Sequence, residues 1–68
     1  MYALLAEKDD EITRLMIGCE AQAETVKQAL VARGFKVEGP EEMALSVIHR
    51  TEEEKQRATR LLASIFAH

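Results

Sequence analysis

Apolar and polar residues alternate with two different periods along this chain, and each period predicts a different secondary structure. In the last third, apolar side chains recur with the spacing of one helical face. They are Ala58, Leu61, Leu62, Ile65 and Phe66. Ahead of them, Thr51 and Glu54 have the spacing of a capping box, in which each side chain accepts a hydrogen bond from a backbone N–H. The pattern predicts a helix over 52–66 whose apolar stripe is the main anchor of the core.

The middle of the chain predicts a second helix, over 20–33. Its apolar side chains again fall on one face, while charged and amide side chains occupy the others. The apolar set is Ala23, Val26 and Leu30. Gly34 follows at the position where a left-handed residue ends many helices. Phe35 is expected to fold back onto Leu30 or Val31, a contact that often accompanies such an ending.

Between these helices the period changes to two, which is typical of strands. Phe35 and Val37 alternate with Lys36 and Glu38, and this alternation predicts a half-buried strand. The dipeptide Gly-Pro that follows is typical of a turn. A second alternation over 44–48 predicts another strand, so that the segment forms a β-hairpin with a loop of about five residues.

The first 19 residues allow two interpretations. "ITRLMIG" is rich in β-branched and large aliphatic residues and favours a strand, with a further, optional strand in "YALLAEK" and a turn at Asp9-Asp10. The alternative is one long helix over 2–33 with a heptad seam, since four apolar residues are spaced by seven. They are Leu5, Ile12, Cys19 and Val26. Gly18 inside such a helix would cost about 1 kcal/mol, so the strands are preferred.

The predicted order, (β)βαββα, indicates an α+β fold. We expect a small two-layer sandwich in which both helices pack on one face of the sheet. The chain has 68 residues, which predicts one domain over 1–68. The order resembles part of a ferredoxin-like domain that lacks its last strand, an analogy of architecture that implies no function.

Charge and composition exclude several classes of protein. The formal net charge of −3 gives no general attraction to nucleic acid or to anionic lipid. We expect no signal peptide, no membrane span and a cytoplasmic location. The single cysteine excludes an internal disulfide. Because a domain of this size often needs a further source of stability, self-association is expected.

Few residues indicate a catalytic or binding site, and Cys19 is the first candidate. A thiol at the start of a helix can ionise and react, but Glu20 beside it would oppose a thiolate and no second cysteine is present. Strand alternation places Cys19 with Leu15 and Ile17, which predicts a small residue on the inward face. His49 is expected at the surface, at a strand end. The residues therefore predict no enzyme and no catalytic, cofactor or metal site.

The remaining function is a small protein-interaction or regulatory module that acts as a homodimer. Its interface is expected on the outward face of the sheet, at Ile12, Met16, Ala44 and Ile48. One alternative is a dimeric nucleic-acid-associated regulator, which one exposed basic stripe would favour. That stripe would contain Arg50, Lys55, Arg57 and Arg60. The other alternative is a small-molecule sensor that uses the sheet or a dimer cleft.

Overall fold

The computed structural model describes residues 1–44 and 49–67 and contains a three-stranded antiparallel sheet and two helices. The elements are β1 (Tyr2–Lys8), β2 (Glu11–Ile17), α1 (Glu20–Ala32), β3 (Lys36–Glu42) and α2 (Glu52–Phe66). The central strand is β1, which pairs with β2 on one side and β3 on the other. The predicted α+β class is confirmed, while the ferredoxin-like arrangement stays a prediction.

The first 17 residues form a β-hairpin, so the preferred interpretation is confirmed and the long helix over 2–33 is wrong. Asp9 and Asp10 lie in the left-handed region, with φ of 53° and 64°. Two consecutive residues of this kind give the tight turn whose twist matches a hairpin. Leu4 is thereby paired with Leu15, and both side chains are buried on one face of the sheet.

The end of α1 follows the sequence prediction closely. Gly34 has a φ of 89°, and its N–H donates to the carbonyl of Val31 at 3.0 Å. The N–H of Phe35 donates to the carbonyl of Leu30, also at 3.0 Å. These two bonds form a Schellman motif and satisfy carbonyls at the helix end. The half-buried Phe35 packs against the core cluster, of which Leu30 is a member.

The predicted turn at Gly39-Pro40 is wrong, because β3 continues through this dipeptide, whose peptide bond is cis. The pairing with β1 shifts between Ala3 and Leu5, and this irregularity accommodates the dipeptide within the strand. Gly39 has a φ of 104°, and a Cβ there would lie 2.6 Å from the carbonyl oxygen of Ala3. The predicted strand over 44–48 lies, apart from its exposed first residue, outside the described residues.

The core lies between one face of the sheet and the two helices. Its buried apolar residues are Leu4, Ala6, Leu15, Ile17, Ala23, Val26, Leu30 and Ala58. Three of them belong to α1 and one to α2. The rest of the α2 stripe, Leu61, Leu62 and Ile65, is half-buried against this cluster, and Phe66 is 46% exposed. The expectation that α2 is the main anchor is therefore corrected: α1 fills the centre and α2 covers its margin.

The start of α2 realises half of the predicted capping box. The hydroxyl of Thr51 accepts the N–H of Glu54 at 3.0 Å, as expected. The carboxylate of Glu54 does not complete the box at Thr51. It accepts instead from the backbone N–H of Arg50 at 3.3 Å and from Arg14 of β2. The same glutamate thus caps its own helix and ties that helix to the sheet.

Candidate interaction surface

The outer edge of β2 is covered by side chains from the region around α2. The N–H of Arg14 donates to Glu54 Oε2 at 3.1 Å, and His49 Nε2 donates to the carbonyl of Arg14 at 2.8 Å. Arg57 Nη2 donates to the carbonyl of Ile12 at 2.9 Å. These contacts use backbone groups that an exposed edge strand would offer to another strand. A partner cannot pair with this stretch of β2 unless it displaces α2.

Glu54 is the centre of this cluster and only 4% exposed. Arg14 Nη1 lies 2.8 Å from its Oε1 and 3.0 Å from its Oε2. Burial alone would raise the pKa of the carboxyl. Hydrogen bonds from the backbone and side chain of Arg14 and from the N–H of Arg50, together with the charge of Arg14, outweigh burial and hold the pKa below its ordinary value. The carboxylate is therefore charged and tightly held at neutral pH.

Arg57 also binds residues of β2 and does not contribute to an exposed basic surface. Its Nε donates to the buried Thr13 Oγ1 at 2.9 Å, and its Nη1 lies 3.3 Å from Glu11 Oε2. The side chain is half-buried between α2 and β2. The exposed stripe that would favour nucleic-acid binding therefore loses a central member, while Lys55 and Arg60 stay exposed.

The outer edge of β3 is unsuited to strand addition for a different reason. Pro40 has no N–H to offer a ladder. Lys27 Nζ of α1 donates to the carbonyl of Gly39 at 2.6 Å and so occupies a neighbouring acceptor. Glu38 and Glu41 add charge to the strand, a common means of preventing edge pairing. Neither outer strand therefore presents a regular row of backbone donors and acceptors.

The sheet face opposite α1 and α2, here called the helix-free face, has a regular arrangement set by the strand register. Each row runs from β2 through β1 to β3. The rows are Met16–Ala3–Glu41, Arg14–Leu5–Glu38 and Ile12–Glu7–Lys36. Their side chains share one face because strand residues alternate sides, and their neighbours Leu4, Leu15 and Ala6 point into the core.

Apolar side chains lie at the centre of the helix-free face and along β2, while acids lie along β3. Ala3, Leu5 and Met16 are half-buried, and Ile12 is 39% exposed. A shallow pocket of about 170 Å³ lies on this face, lined among others by Leu5, Arg14, Glu38, Glu41 and Met43. It is smaller than the roughly 300 to 1,000 Å³ typical of small-molecule sites. The face is thus better suited to a flat partner than to an enclosed ligand.

Of the residues predicted for the interface, the structure places Ile12 and Met16 on the helix-free face. Ala44 is exposed in the bend that follows β3, outside the rows, and Ile48 lies outside the described residues. The central residues of the face, Ala3 and Leu5, were missed. Both belong to the strand that the sequence left optional, and the unbroken apolar run over 2–6, which is typical of a strand covered on both faces, was the signal that could have identified them.

Cys19 corrects the prediction of an inward-facing residue, because its side chain is exposed. It is the N-cap of α1, with a φ of −137°, and makes no side-chain capping hydrogen bond. The alternation that was extended from Leu15 and Ile17 stops at Gly18, where β2 has already ended. His49 is half-buried instead of exposed, since its ring contacts the edge of β2.

Cys19→Ser should stabilise the protein by about 0.5 to 1 kcal/mol, because serine at an N-cap accepts an N–H of the first turn and the thiol does not. For a domain of this size that gain corresponds to a rise of roughly 2 to 8 °C in melting temperature. Thermal unfolding followed by circular dichroism measures it. Cys19→Ala is the matched control and should show no rise, and a lower melting temperature for Cys19→Ser would contradict the exposed N-cap.

No group of three or more His, Cys, Asp or Glu side chains in residues 1–44 and 49–67 is arranged to hold a metal ion. Neither α1 nor α2, the two helices in that part of the chain, is long and apolar enough to cross a membrane. Comparison with protein-family models, curated proteins and solved structures gives no match.

Proposed function

We propose that this protein is a small, non-enzymatic interaction module that acts as a homodimer through the helix-free face. The observation that carries the proposal is the apolar centre of this face, formed by Ala3, Leu5 and Met16 beside the exposed Ile12. Apolar groups gathered on one side of a sheet are typical of contact surfaces. A second copy brings the same surface, and two-fold pairing is the commonest solution for small homo-oligomers.

The other surfaces of the sheet support this choice by exclusion. The edge of β2 is bonded to His49, Glu54 and Arg57, and Pro40 leaves β3 without a backbone N–H at its position. The second face is packed against α1 and α2. A partner that binds the sheet therefore meets the helix-free face, with side chains instead of backbone groups as the main contacts.

A nucleic-acid-associated regulator is the second candidate and has weaker support. The exposed Lys55 and Arg60 lie close together on α2, but Glu52 is beside them. With a net charge of −3, the chain lacks the general electrostatic attraction to nucleic-acid phosphates that a basic protein has. Regulation through protein contact thus fits the charge of the molecule better than regulation through DNA or RNA.

Leu5→Lys should convert the dimer into a folded monomer, because a cation would have to lose its hydration at the centre of the contact. Sedimentation velocity over about 1 to 100 µM, a range chosen around the micromolar affinities of small interfaces, measures the state of association. Circular dichroism confirms that the variant remains folded.

Val31→Lys is the matched control for this test. It introduces the same charge on α1, at a side chain that is 54% exposed on the helix side of the molecule. This variant should remain dimeric. A parent protein that is monomeric throughout the concentration range would overturn the homodimer, and dissociation by Val31→Lys alone would move the interface to the helices.

A further inference from the structure

We infer that the second copy docks with a two-fold axis parallel to β1, so that β2 of each subunit lies over β3 of the other. This inference rests on the proposed homodimer and specifies its geometry. The strand order β2–β1–β3 places β1 in the middle, so a half-turn about a line parallel to β1 exchanges the two outer strands. Each row of the helix-free face then meets the same row of the partner in reverse order.

Charge complementarity selects this axis. In the middle row, Arg14 faces the partner's Glu38 and Glu38 faces the partner's Arg14, while Leu5 meets its own copy on the axis. Arg14 Nη1 donates to Glu54 within the same subunit, yet 21% of the Arg14 side chain stays exposed. The guanidinium has five N–H donors, so it can hold one carboxylate within its subunit and bind a second across the interface.

The outer rows fit the same axis. Met16 lies over the partner's Glu41, and Ile12 lies over the partner's Lys36, so each apolar side chain covers the methylene groups of a long polar one. Glu7 would meet its own copy at the end of the face. It is exposed there and can turn towards solvent.

The competing two-fold axis, perpendicular to the strands, opposes like charges at the centre. It would place β2 over β2 and β3 over β3, so that Arg14 meets Arg14 and Glu38 meets Glu38. Like charges brought together in an interface cost free energy and discriminate against the wrong arrangement. Pairing of Lys36 with Glu41 at the exposed margin would offset little of this cost, since surface ion pairs contribute about 0 to 1 kcal/mol.

The size of the face predicts a weak dimer. Three strands of seven residues, about 4.8 Å apart with a rise of about 3.3 Å per residue, cover a projected area of roughly 350 Å². Standard interfaces bury about 800 Å² per partner. The dimer should therefore be a weak one that dissociates on dilution, so that exchange of one charged pair changes its dissociation constant measurably.

Site-directed cross-linking distinguishes the two axes. In a Cys19→Ser background, Ala3→Cys should cross-link to its own copy with a bismaleimide of about 8 Å reach, because the inferred axis runs along β1. Ile12→Cys is the control. Its copy would lie two strand spacings, or about 10 Å, to the side in addition to the separation of about 10 Å between sheets. Labelling with a monofunctional maleimide checks that both thiols react.

Cross-linking through both Ala3→Cys and Leu5→Cys, and not through Ile12→Cys, supports the inferred axis, because an axis along β1 brings both positions of that strand to their own copies. Cross-linking through Leu5→Cys without Ala3→Cys would indicate the perpendicular axis and overturn this inference, while the proposed dimer would stand. A dimer in which none of the three thiols cross-links would overturn both the axis and the helix-free face. A monomeric parent would overturn the homodimer itself.

Charge reversal tests the ion pairs independently. Glu38→Arg should raise the dimer dissociation constant at least tenfold, because it sets two arginines opposite each other in both symmetry-related positions. Glu24→Arg, the same change on the exposed side of α1, should alter it less than threefold. Equal effects of the two variants would show that net charge alone governs association, and would overturn the pairing of Arg14 with Glu38.

Discussion

Leu30→Ala should lower the melting temperature steeply, whereas Leu62→Ala should lower it only modestly. Leu30 of α1 is fully buried, and removal of such a side chain costs about 2 to 5 kcal/mol. A chain of 68 residues has a total stability of roughly 3 to 10 kcal/mol. Leu62 of α2 is half-buried, so its truncation should cost about 1 kcal/mol.

Urea unfolding followed by circular dichroism measures both variants. The comparison is matched, since each variant removes the same atoms from a helix that packs on the same sheet face. Protein concentration must be equal, because the proposed dimerisation would add to apparent stability. Equal losses for the two variants would contradict the conclusion that α1 fills the centre of the core, and would restore α2 as its main anchor.

The sequence was most informative where one local cause decides the structure. The periods of α1 and α2, the glycine that ends α1 and the hydroxyl that caps α2 each depend on neighbouring residues alone. The bounds 20–33 and 52–66 were therefore predicted within one residue. How deeply each of the two helices is buried was not predicted. The period shows which side of a helix is apolar, but it does not show how far the sheet extends beneath that side.

β3 shows where local reasoning fails. Gly39-Pro40 has the composition of a turn, but its pairing with β1 keeps the strand extended and shifts the register at this point. That outcome depends on residues more than 30 positions away in the chain. Cys19 illustrates the reverse error, since alternation was extended past Gly18 into a residue whose exposure is set by the start of α1.

The candidate surface was predicted only in part for the same reason. Alternation within β2 was sufficient to place Ile12 and Met16 on the outward face. The contacts that cover the edge of β2 join residues about 35 to 45 positions apart, including Arg14 with His49 and with Glu54. No local pattern indicates such contacts, although a glutamate at the third helical position did indicate that its carboxylate would accept hydrogen bonds.

Glu54→Gln should be the second most damaging substitution, and its effect should depend on pH. The change keeps the size of the side chain but removes its charge and replaces one acceptor oxygen with an NH₂ group that faces the donors of Arg14 and Arg50. Breaking a fully buried ion pair costs about 3 to 5 kcal/mol, and because Arg14 keeps 21% of its side chain exposed we expect about 2 kcal/mol at pH 7.

The sign of the pH dependence follows from the lowered pKa of Glu54. The unfolded chain binds the proton more tightly than the folded one, so the contribution of the carboxylate is complete above its ordinary pKa of 4.5 and is lost as the pH falls through the lower folded pKa.

Urea unfolding at pH 7 and pH 3 should show the parent and Glu54→Gln converging in acid. Taking this difference removes the pH-dependent contributions that both proteins share. Glu53→Gln, an exposed neighbour in the same helical turn, is the control and should show a small difference at pH 7. If the difference in free energy of unfolding between the parent and Glu54→Gln stays constant with pH, that result would contradict a charged Glu54 at the edge of β2.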